Sequence, residues 1–309
     1  MHNRFRRLCL PLFTVAAATT LTVFAFSDRV LAQQSPTTEP WKSPVSSPSL
    51  STARSAWLQS YSPYQALPNS YLEYESRYLA WGEENPELSP EQVVLEVNIG
   101  LDRDFYEDPD VVSNPDSTTV LVNKYHALPE DYVPQLEALG SRYGSGSLQP
   151  EAAAAFRAMA DAAREDGISL RSVSAYRSYT RQENLYSRYL SYVSQASVDS
   201  YSARPGFSEH QTALALDINT ASLSAHFENT PAYAWLTEHC AQYGFILRYP
   251  QGKEDITGYR FEPWHYRYVG TEIAQICMSQ DLTYEEYIAL QPVSKKFAEA
   301  GPVEGLPFI

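Results

Sequence analysis

The chain has 309 residues, of which 44% are hydrophobic and 19% charged, a composition that suits one globular domain plus additional non-core sequence. Its formal net charge is -14 at pH 7. The sequence contains no basic patch, so we expect no nucleic-acid partner. Nothing in the sequence implies an oligomer.

The first 32 residues have the pattern of an export signal. A basic start at Arg4, Arg6 and Arg7 precedes an apolar stretch over residues 8–26, and residues 30–32 offer small side chains to a signal peptidase. The same stretch is long enough to be an uncleaved membrane anchor. Both alternatives predict an extracytoplasmic protein, either secreted or tethered to the membrane at the cell envelope.

Residues 33–60 are rich in Ser, Pro, Thr and Gln and predict a flexible linker, because they cannot bury enough apolar surface to form a core. Tyrosines at helical spacing then predict a helical lead-in over residues 61–92. Ser89 and Pro90 are typical of a helix start, whereas residues 93–99 fit either a helix or a strand. We expect the main domain over residues 93–292 and a tail over 293–309.

Short strands and helices alternate irregularly within this domain, which predicts the α+β class. Strands are predicted over residues 120–122, 170–175, 213–218, 245–247 and 259–264. Helices are predicted over residues 151–165, 180–195 with Thr180 as the cap, 231–243, 271–279 and 283–290.

The chain has three cysteines, and Cys9 lies in the apolar leader. Cys240 and Cys277 form an even pair that could be oxidised to a disulfide after export. The alternative is two buried thiols that act as small hydrophobic side chains. Both alternatives remain open from the sequence.

Two short runs carry the chemistry of the chain. The first places His210 seven residues before Asp217, and the second places Glu262 three residues before His265. Two imidazoles and one carboxylate can supply the three protein ligands of a catalytic zinc, with water in the fourth position. The remaining carboxylate, Glu262, can then act on the water as a general base.

Each of these residues also has an ordinary structural explanation when it is taken alone. Asp217 ends an apolar stretch and needs a partner when buried, but a salt bridge or a cap would serve as well as a metal. Pro263 disfavours a helix, and residues three apart in a strand face opposite sides. Glu262 and His265 can therefore meet at one metal only if the backbone turns or bulges between them.

Four segments, in this order, resemble the VanY-type D-alanyl-D-alanine carboxypeptidases. Residues 208–217 are similar to the family's Ser-x-His-(six residues)-Asp motif, and residues 262–265 to its Glu-x-Trp-His motif. Residues 174–182 resemble the Tyr-Arg-Ser…Gln segment, and residues 122–125 with Leu128-Pro129 resemble the start of the domain. The resemblance extends over roughly residues 93–290 and implies a single zinc-peptidase domain with a small antiparallel sheet flanked by helices.

The resemblance also assigns roles to individual residues. It implies that His210, Asp217 and His265 bind zinc and that Glu262 is the base. Arg177 corresponds to the cation that meets the substrate carbonyl or the oxyanion. Three further residues are expected to contact substrate or support the site: Gln182, Ser208 and Trp264. The family usually has glycine where this chain has Ala213, so we expect a small backbone shift there.

The activity implied by the resemblance is that of an exported zinc carboxypeptidase, which removes the terminal D-alanine from peptidoglycan stem peptides. An L,D-carboxypeptidase or an endopeptidase acting on the same stem peptides is a further alternative. From other classes, the chain could be a non-catalytic, zinc-containing module that binds the cell wall, or a wall-tethered structural domain whose histidines are only packed. The presence of Glu262 argues against a pure binder, which needs no base beside its metal.

Overall fold

The computed structural model describes residues 62–293. The predicted leader, the linker, Cys9 and almost all of the C-terminal tail therefore lie outside the described residues. No helix within the described range has both the length and the apolar character needed to cross a membrane.

Helices and short strands alternate along the described chain. The α-helices are Glu75–Glu84 (α1), Pro90–Ile99 (α2), Pro150–Glu165 (α3), Tyr179–Leu190 (α4), Gln195–Asp199 (α5), Pro231–His239 (α6), Glu254–Thr257 (α7), Thr271–Gln280 (α8) and Tyr284–Leu290 (α9). The strands are Asp110–Val111 (β1), His126–Ala127 (β2), Glu137–Ala138 (β3), Ser147–Leu148 (β4), Arg171–Ser174 (β5), Ala215–Asn219 (β6), Phe245–Leu247 (β7) and His265–Tyr268 (β8).

Residues 93–99, for which the sequence left helix and strand open, belong to α2. Ser89 and Gln92 form a reciprocal capping box with Pro90 in the first turn, and Gly100 ends the helix in the left-handed conformation. The sequence places a boundary between the helical lead-in and the main domain at residues 92 and 93. This position lies inside α2, because the helix begins at Pro90. One face of α2 packs against Tyr78 of α1, and Leu95 and Ile99 lie in a cluster with Ala289 of α9.

The central sheet has four antiparallel strands in the order β5-β6-β8-β7, which confirms the small antiparallel sheet. Its apolar side chains join those of α3 and α6 in the main core, for example Phe156 with Phe245. Burial of these aromatic and branched side chains removes apolar surface from water and fixes the helices on the sheet. The sheet is the rigid base of the site described below.

Two predicted strands are wrong. Residues 120–122 form no strand. The Val120 carbonyl accepts a 2.7 Å hydrogen bond from the Arg267 guanidinium and not from the backbone of a neighbouring strand. Residues 259–264 are also irregular, and strand β8 begins only at His265. The backbone N–H of His265 donates to the Glu262 carbonyl, so the chain turns between these two residues. Such a turn is what allows both side chains to face one metal.

Two smaller expectations need correction, and one open alternative is decided. The cap of α4 is Ser178, whose side chain accepts from the Arg181 N–H, and not Thr180. The predicted helix over 180–195 ends at Leu190, and α5 begins separately at Gln195. Cys240 and Cys277 are free and buried, as in the alternative of two packed thiols.

Candidate active site

The sheet places Asp217 and His265 next to each other. They are directly opposed in the antiparallel pairing of β6 with β8. Opposed residues in such a pair project their side chains from the same face, with Cβ atoms about 4.5–5.5 Å apart. Strand register alone therefore brings together an aspartate and a histidine that are 48 positions apart in the sequence.

His210 reaches the same face from a 3-10 turn at Glu209–Thr212, immediately before β6. Ala213 ends this turn in the left-handed region, with φ 55° and ψ 23°, and redirects the chain into the strand. Ala213 is therefore not part of the strand predicted over 213–218. The Nδ1 atom of His210 lies 2.8 Å from the Ala175 carbonyl, which fixes the ring and leaves Nε2 facing Asp217.

Three potential ligand atoms converge at this point. The Oδ1 atom of Asp217 lies 3.5 Å from His210 Nε2 and 3.4 Å from His265 Nδ1, and all three lie within 4.8 Å of one another. Oδ1 is buried and makes no hydrogen bond to any residue in the range 62–293. Ligands about 2.0–2.2 Å from one tetrahedral ion are roughly 3.3–3.5 Å apart, so the donor set and the two distances from Asp217 fit a zinc ion.

Glu262 lies at the edge of this group. Its Oε2 atom is 3.7 Å from His265 Nδ1, across the turn that joins the two residues. Burial raises the pKa of Glu262 to about 7, although His265 acts in the opposite direction. A carboxyl group with a pKa near neutrality can both accept and return a proton under physiological conditions.

The charges around the ligand atoms favour a cation. Burial disfavours charge on Asp217, but His210 and His265 outweigh it and lower the pKa of Asp217 well below its usual range. Burial likewise disfavours a charged His265, yet Asp217 and Glu209 together raise the pKa of His265 to about 9. The site therefore attracts positive charge, which a metal ion can supply.

Glu209 is a site residue that the sequence analysis missed. Its side chain is fully buried, and Oε2 lies 3.4 Å from Nε2 of His265. Its other oxygen accepts from Arg248 at 2.8 Å and from Arg267 at 2.9 Å. Burial raises the pKa of Glu209, but these two guanidiniums outweigh it and hold the carboxyl ionised. Glu209 thus orients the His265 ring from behind, leaving Nδ1 for the ligand group.

The sequence contains a signal for this buried charge network. Arg248 follows three apolar residues of β7, and Arg267 lies between two tyrosines in β8. Arginine inside a buried strand requires an acidic partner, because an unpaired buried charge is costly. Glu209 supplies part of that charge, and Glu285 binds Arg248 through two hydrogen bonds of 2.8 and 2.6 Å.

Arg177 lies beside the ligand group. Its backbone N–H donates to the His210 carbonyl, and its guanidinium donates to Gln182 Oε1 at 2.7 Å and Ser174 Oγ at 3.0 Å. It forms no ion pair with a carboxylate of the described chain. Gln182 is buried and does not line the pocket; its amide donates to the Ala203 carbonyl at 2.6 Å. Gln182 therefore supports Arg177 and does not face the position expected for substrate.

All five acid and imidazole groups of the two motif segments line one pocket of about 340 Å³: Glu209, His210, Asp217, Glu262 and His265. Ser208 and Trp264, both predicted near substrate, line it as well. Arg260 lies at its rim, exposed, with its guanidinium 4.6 Å from the centre of the Tyr201 ring and 3.0 Å from Ser200 Oγ. The pocket thus combines a potential metal group, a carboxylate and two guanidiniums without acidic partners among the described residues.

Several known proteins are similar to this chain. The model of a family described as D-alanyl-D-alanine carboxypeptidase matches residues 145–271. The protein YodJ of Bacillus subtilis is 40% identical over 193 residues, which are 58% of this chain and 69% of YodJ.

Two solved structures are also similar. The LD-carboxypeptidase LdcB shares 40% identity at a TM-score of 0.55, over 58% of this chain and 89% of LdcB. A variant of VanY, a D,D-pentapeptidase from a VanB-type vancomycin resistance cassette in complex with Zn(II), shares 35% identity at a TM-score of 0.50. That match covers 55% of this chain and 98% of VanY.

Proposed function

Because this chain belongs to the VanY family of D-alanyl-D-alanine carboxypeptidases, we propose that it is a zinc carboxypeptidase that releases the terminal D-alanine of peptidoglycan stem peptides. The observation that carries the proposal is the convergence of His210, Asp217 and His265 in a pocket that also holds Glu262. A wall-binding module would need no buried carboxylate beside its metal. Since this substrate lies in the cell wall, we also propose that the protein acts outside the cytoplasm.

His210, Asp217 and His265 would hold the zinc through Nε2, Oδ1 and Nδ1. A bound zinc ion contributes Lewis acidity, which polarises the scissile carbonyl and lowers the pKa of the attacking water. The protein contributes the orientation of the ligands. The Ala175 carbonyl fixes the ring of His210, and Glu209 fixes the ring of His265.

Glu262 moves the proton. Its carboxylate accepts a proton from the water as the water oxygen bonds to the carbonyl carbon. It then gives that proton to the amide nitrogen as the carbon–nitrogen bond breaks, so D-alanine leaves with a neutral amine. The pKa of about 7 suits a group that must act in both directions.

Arg177 stabilises the negative charge that develops on the carbonyl oxygen. Its guanidinium is preorganised by Gln182 and Ser174, so it needs no rearrangement when the charge appears. Burial lowers the pKa of Arg177, but an arginine remains protonated at physiological pH.

Arg260 is placed to bind a free terminal carboxylate, which favours an exopeptidase over an endopeptidase. A carboxypeptidase must recognise a free terminal carboxylate, and a guanidinium is well suited to bind one. Arg260 is a cation at the pocket rim without an ion pair in the described chain, and its side chain is held by the Tyr201 ring and Ser200. We assign it to the terminal carboxylate of the substrate.

A second candidate reaction is cleavage of the L,D bond that remains after one D-alanine is lost. The likeness to the LD-carboxypeptidase LdcB favours it, with a higher TM-score and identity than the D,D-pentapeptidase VanY. Both reactions release D-alanine and use the same residues. They differ only in the residue that precedes the scissile bond.

Mass spectrometry of defined stem peptides tests these proposals. Purified zinc-loaded protein is incubated with a pentapeptide, a tetrapeptide and a pentapeptide whose terminal carboxylate is amidated. We expect release of single D-alanine from the pentapeptide, the tetrapeptide or both, and little or no cleavage of the amide. Internal fragments, or equal cleavage of the amide, would contradict a carboxypeptidase.

A further inference from the structure

A second groove adjoins the active-site pocket between β5 and α4. It has a volume of about 510 Å³ and shares Arg177 and Leu185 with the pocket. Beyond these two residues it is lined by Arg181, Asn184 and Arg188 on the helix and by Val173 and Ser174 on the strand. The groove is therefore directly adjacent to the reacting centre, with Arg177 and Leu185 at the boundary.

The charge of the groove differs from that of the chain. The protein carries 37 acidic and 23 basic residues, yet the groove is lined by three arginines and no acidic residue. Arg181 and Arg188 are exposed and form no ion pair within residues 62–293. They are seven positions apart and so lie on one face of α4, while Gln182 and Tyr186 are buried on another. The groove therefore presents unpaired positive charge beside the reacting centre.

We propose that this groove binds the acyl side of the substrate and that Arg181 and Arg188 contact carboxylates of the upstream stem residues. This inference rests on the proposed function. In a carboxypeptidase only one residue lies on the leaving side, so any longer extension from the pocket holds the acyl side. Arg181 and Arg188 are separated by about 10 Å along the helix, which matches roughly three residues of extended peptide.

The apolar part of the groove fits the same ligand. Val173 is 39% exposed on the strand side, and Leu185 is partly exposed on the helix side. Such side chains contact the hydrocarbon portion of a peptide, while guanidiniums bind its carboxylates. The groove thus selects acidic stem peptides over peptides whose carboxylates are amidated.

Calorimetric binding tests this selection without turnover. The probe is the stem tripeptide that remains after both D-alanines are removed, with its upstream carboxylates either free or amidated and its terminal carboxylate free in both forms. The double variant Arg181→Gln, Arg188→Gln is compared with wild type. The control, Arg142→Gln with Arg164→Gln, removes the same charge from two exposed arginines outside the groove.

We expect wild type and the control to bind the free-acid tripeptide roughly three- to tenfold more tightly than the amide, as suits two exposed charge contacts. The groove variant should bind the acid as weakly as the amide, and added salt should reduce the preference of wild type. The proposal fails if wild type binds neither peptide or shows no preference. It also fails if the groove variant loses affinity for the acid and the amide to the same extent. A control variant that no longer prefers the acid over the amide would likewise contradict it.

D-alanine release is measured in parallel on longer peptides. If the groove variant loses its preference for the acid but wild type releases no D-alanine, the proposed function is rejected and the groove is still supported as a binding site. If wild type releases D-alanine but binds the free-acid and amidated tripeptides equally, the proposed role of the groove is rejected and the proposed function is still supported.

Discussion

Ala213 occupies a backbone position that normally favours glycine. It lies in the left-handed region, fully buried, between two of the potential metal ligands. Its N–H donates to the His210 carbonyl, and its carbonyl accepts from the Gln149 N–H at 2.8 Å, so the conformation is held from both sides. Alanine tolerates this region at a cost of about 1 kcal/mol, whereas a β-branched residue is a true outlier there.

We predict that Ala213→Val destabilises the protein by about 2–4 kcal/mol, from backbone strain and from crowding of a site without free space. Ala213→Gly should change stability by less than about 1 kcal/mol, because relief of strain offsets the loss of a buried methyl and the added chain entropy. Denaturant unfolding of the three proteins measures both changes. Equal stabilities for the valine and glycine variants would show that the conformation imposes no constraint.

Arg177 provides a second prediction for a single residue. Arg177→Ala should retain zinc, because the guanidinium is not a ligand, and should lower kcat by about 10²-fold through loss of oxyanion stabilisation. Zinc content and D-alanine release are measured on the same preparation. Gln182→Ala is the comparison variant. It should lower kcat by less than Arg177→Ala does, because it removes one hydrogen bond that positions the Arg177 guanidinium but keeps the guanidinium itself. A kcat for Arg177→Ala within about twofold of wild type would exclude the assigned role.

Several elements meet at the buried charge network behind His265. Glu209 comes from the 3-10 turn, Arg248 follows β7, Arg267 is in β8 and Glu285 is in α9. The side chains of both arginines are fully buried, so each positive charge depends on its carboxylate partner. The network connects the closing helix α9 to the face of the sheet that carries the site.

We predict that Glu209→Gln destabilises the protein by about 3–5 kcal/mol, because the buried guanidinium of Arg267 would lose its carboxylate partner and Arg248 would keep only Glu285. It should also weaken zinc binding about 10–100-fold, since the His265 ring loses its charged support. Glu228→Gln is the control: it removes a partly exposed acid outside the network and should shift stability by less than about 0.5 kcal/mol. Equal stabilities for the two variants would show that the network is dispensable.

The difference between predicted and observed elements has a common physical cause. Strands β6 and β7 were predictable within a few residues, because each lies in a local apolar run. Strand β5, with the sequence Arg-Ser-Val-Ser, is less apolar but was also predicted within a few residues. Residues 120–122 and 259–264 have the same local character, but a distant arginine and a tight turn determine their backbone. Motif spacing predicts that His210, Asp217 and His265 meet, and their potential ligand atoms lie within 4.8 Å of one another. The role of Glu209 depends on which charges are buried together, which the motif does not reveal.

At the scale of the whole molecule, the potential metal group joins parts that are distant in the sequence. His210 precedes β6, Asp217 lies within it and His265 begins β8. An ion bound by all three binds the folded chain and has no comparable site in the unfolded one. Zinc should therefore contribute to stability as well as to chemistry.

We expect zinc at about 100 times its Kd to stabilise the fold by about 2.7 kcal/mol. For a protein of this size the corresponding rise in Tm is about 5–10 °C. Thermal unfolding of chelator-treated protein with and without added zinc measures it. His265→Ala should abolish the rise. An equal rise in that variant would mean that zinc binds elsewhere.

We propose that the pocket is the active site of a zinc peptidase and that Glu262 is its base. The most direct measurement is the rate of D-alanine release by zinc-loaded Glu262→Gln relative to wild type, on the stem peptide that wild type cleaves best. Glutamine keeps the size of the side chain but cannot accept the proton, and it leaves His210, Asp217 and His265 in place. We expect unchanged zinc content and a rate lower by about 10²–10⁴-fold. A zinc-loaded variant that releases D-alanine as fast as wild type would contradict the assignment of Glu262 as the base.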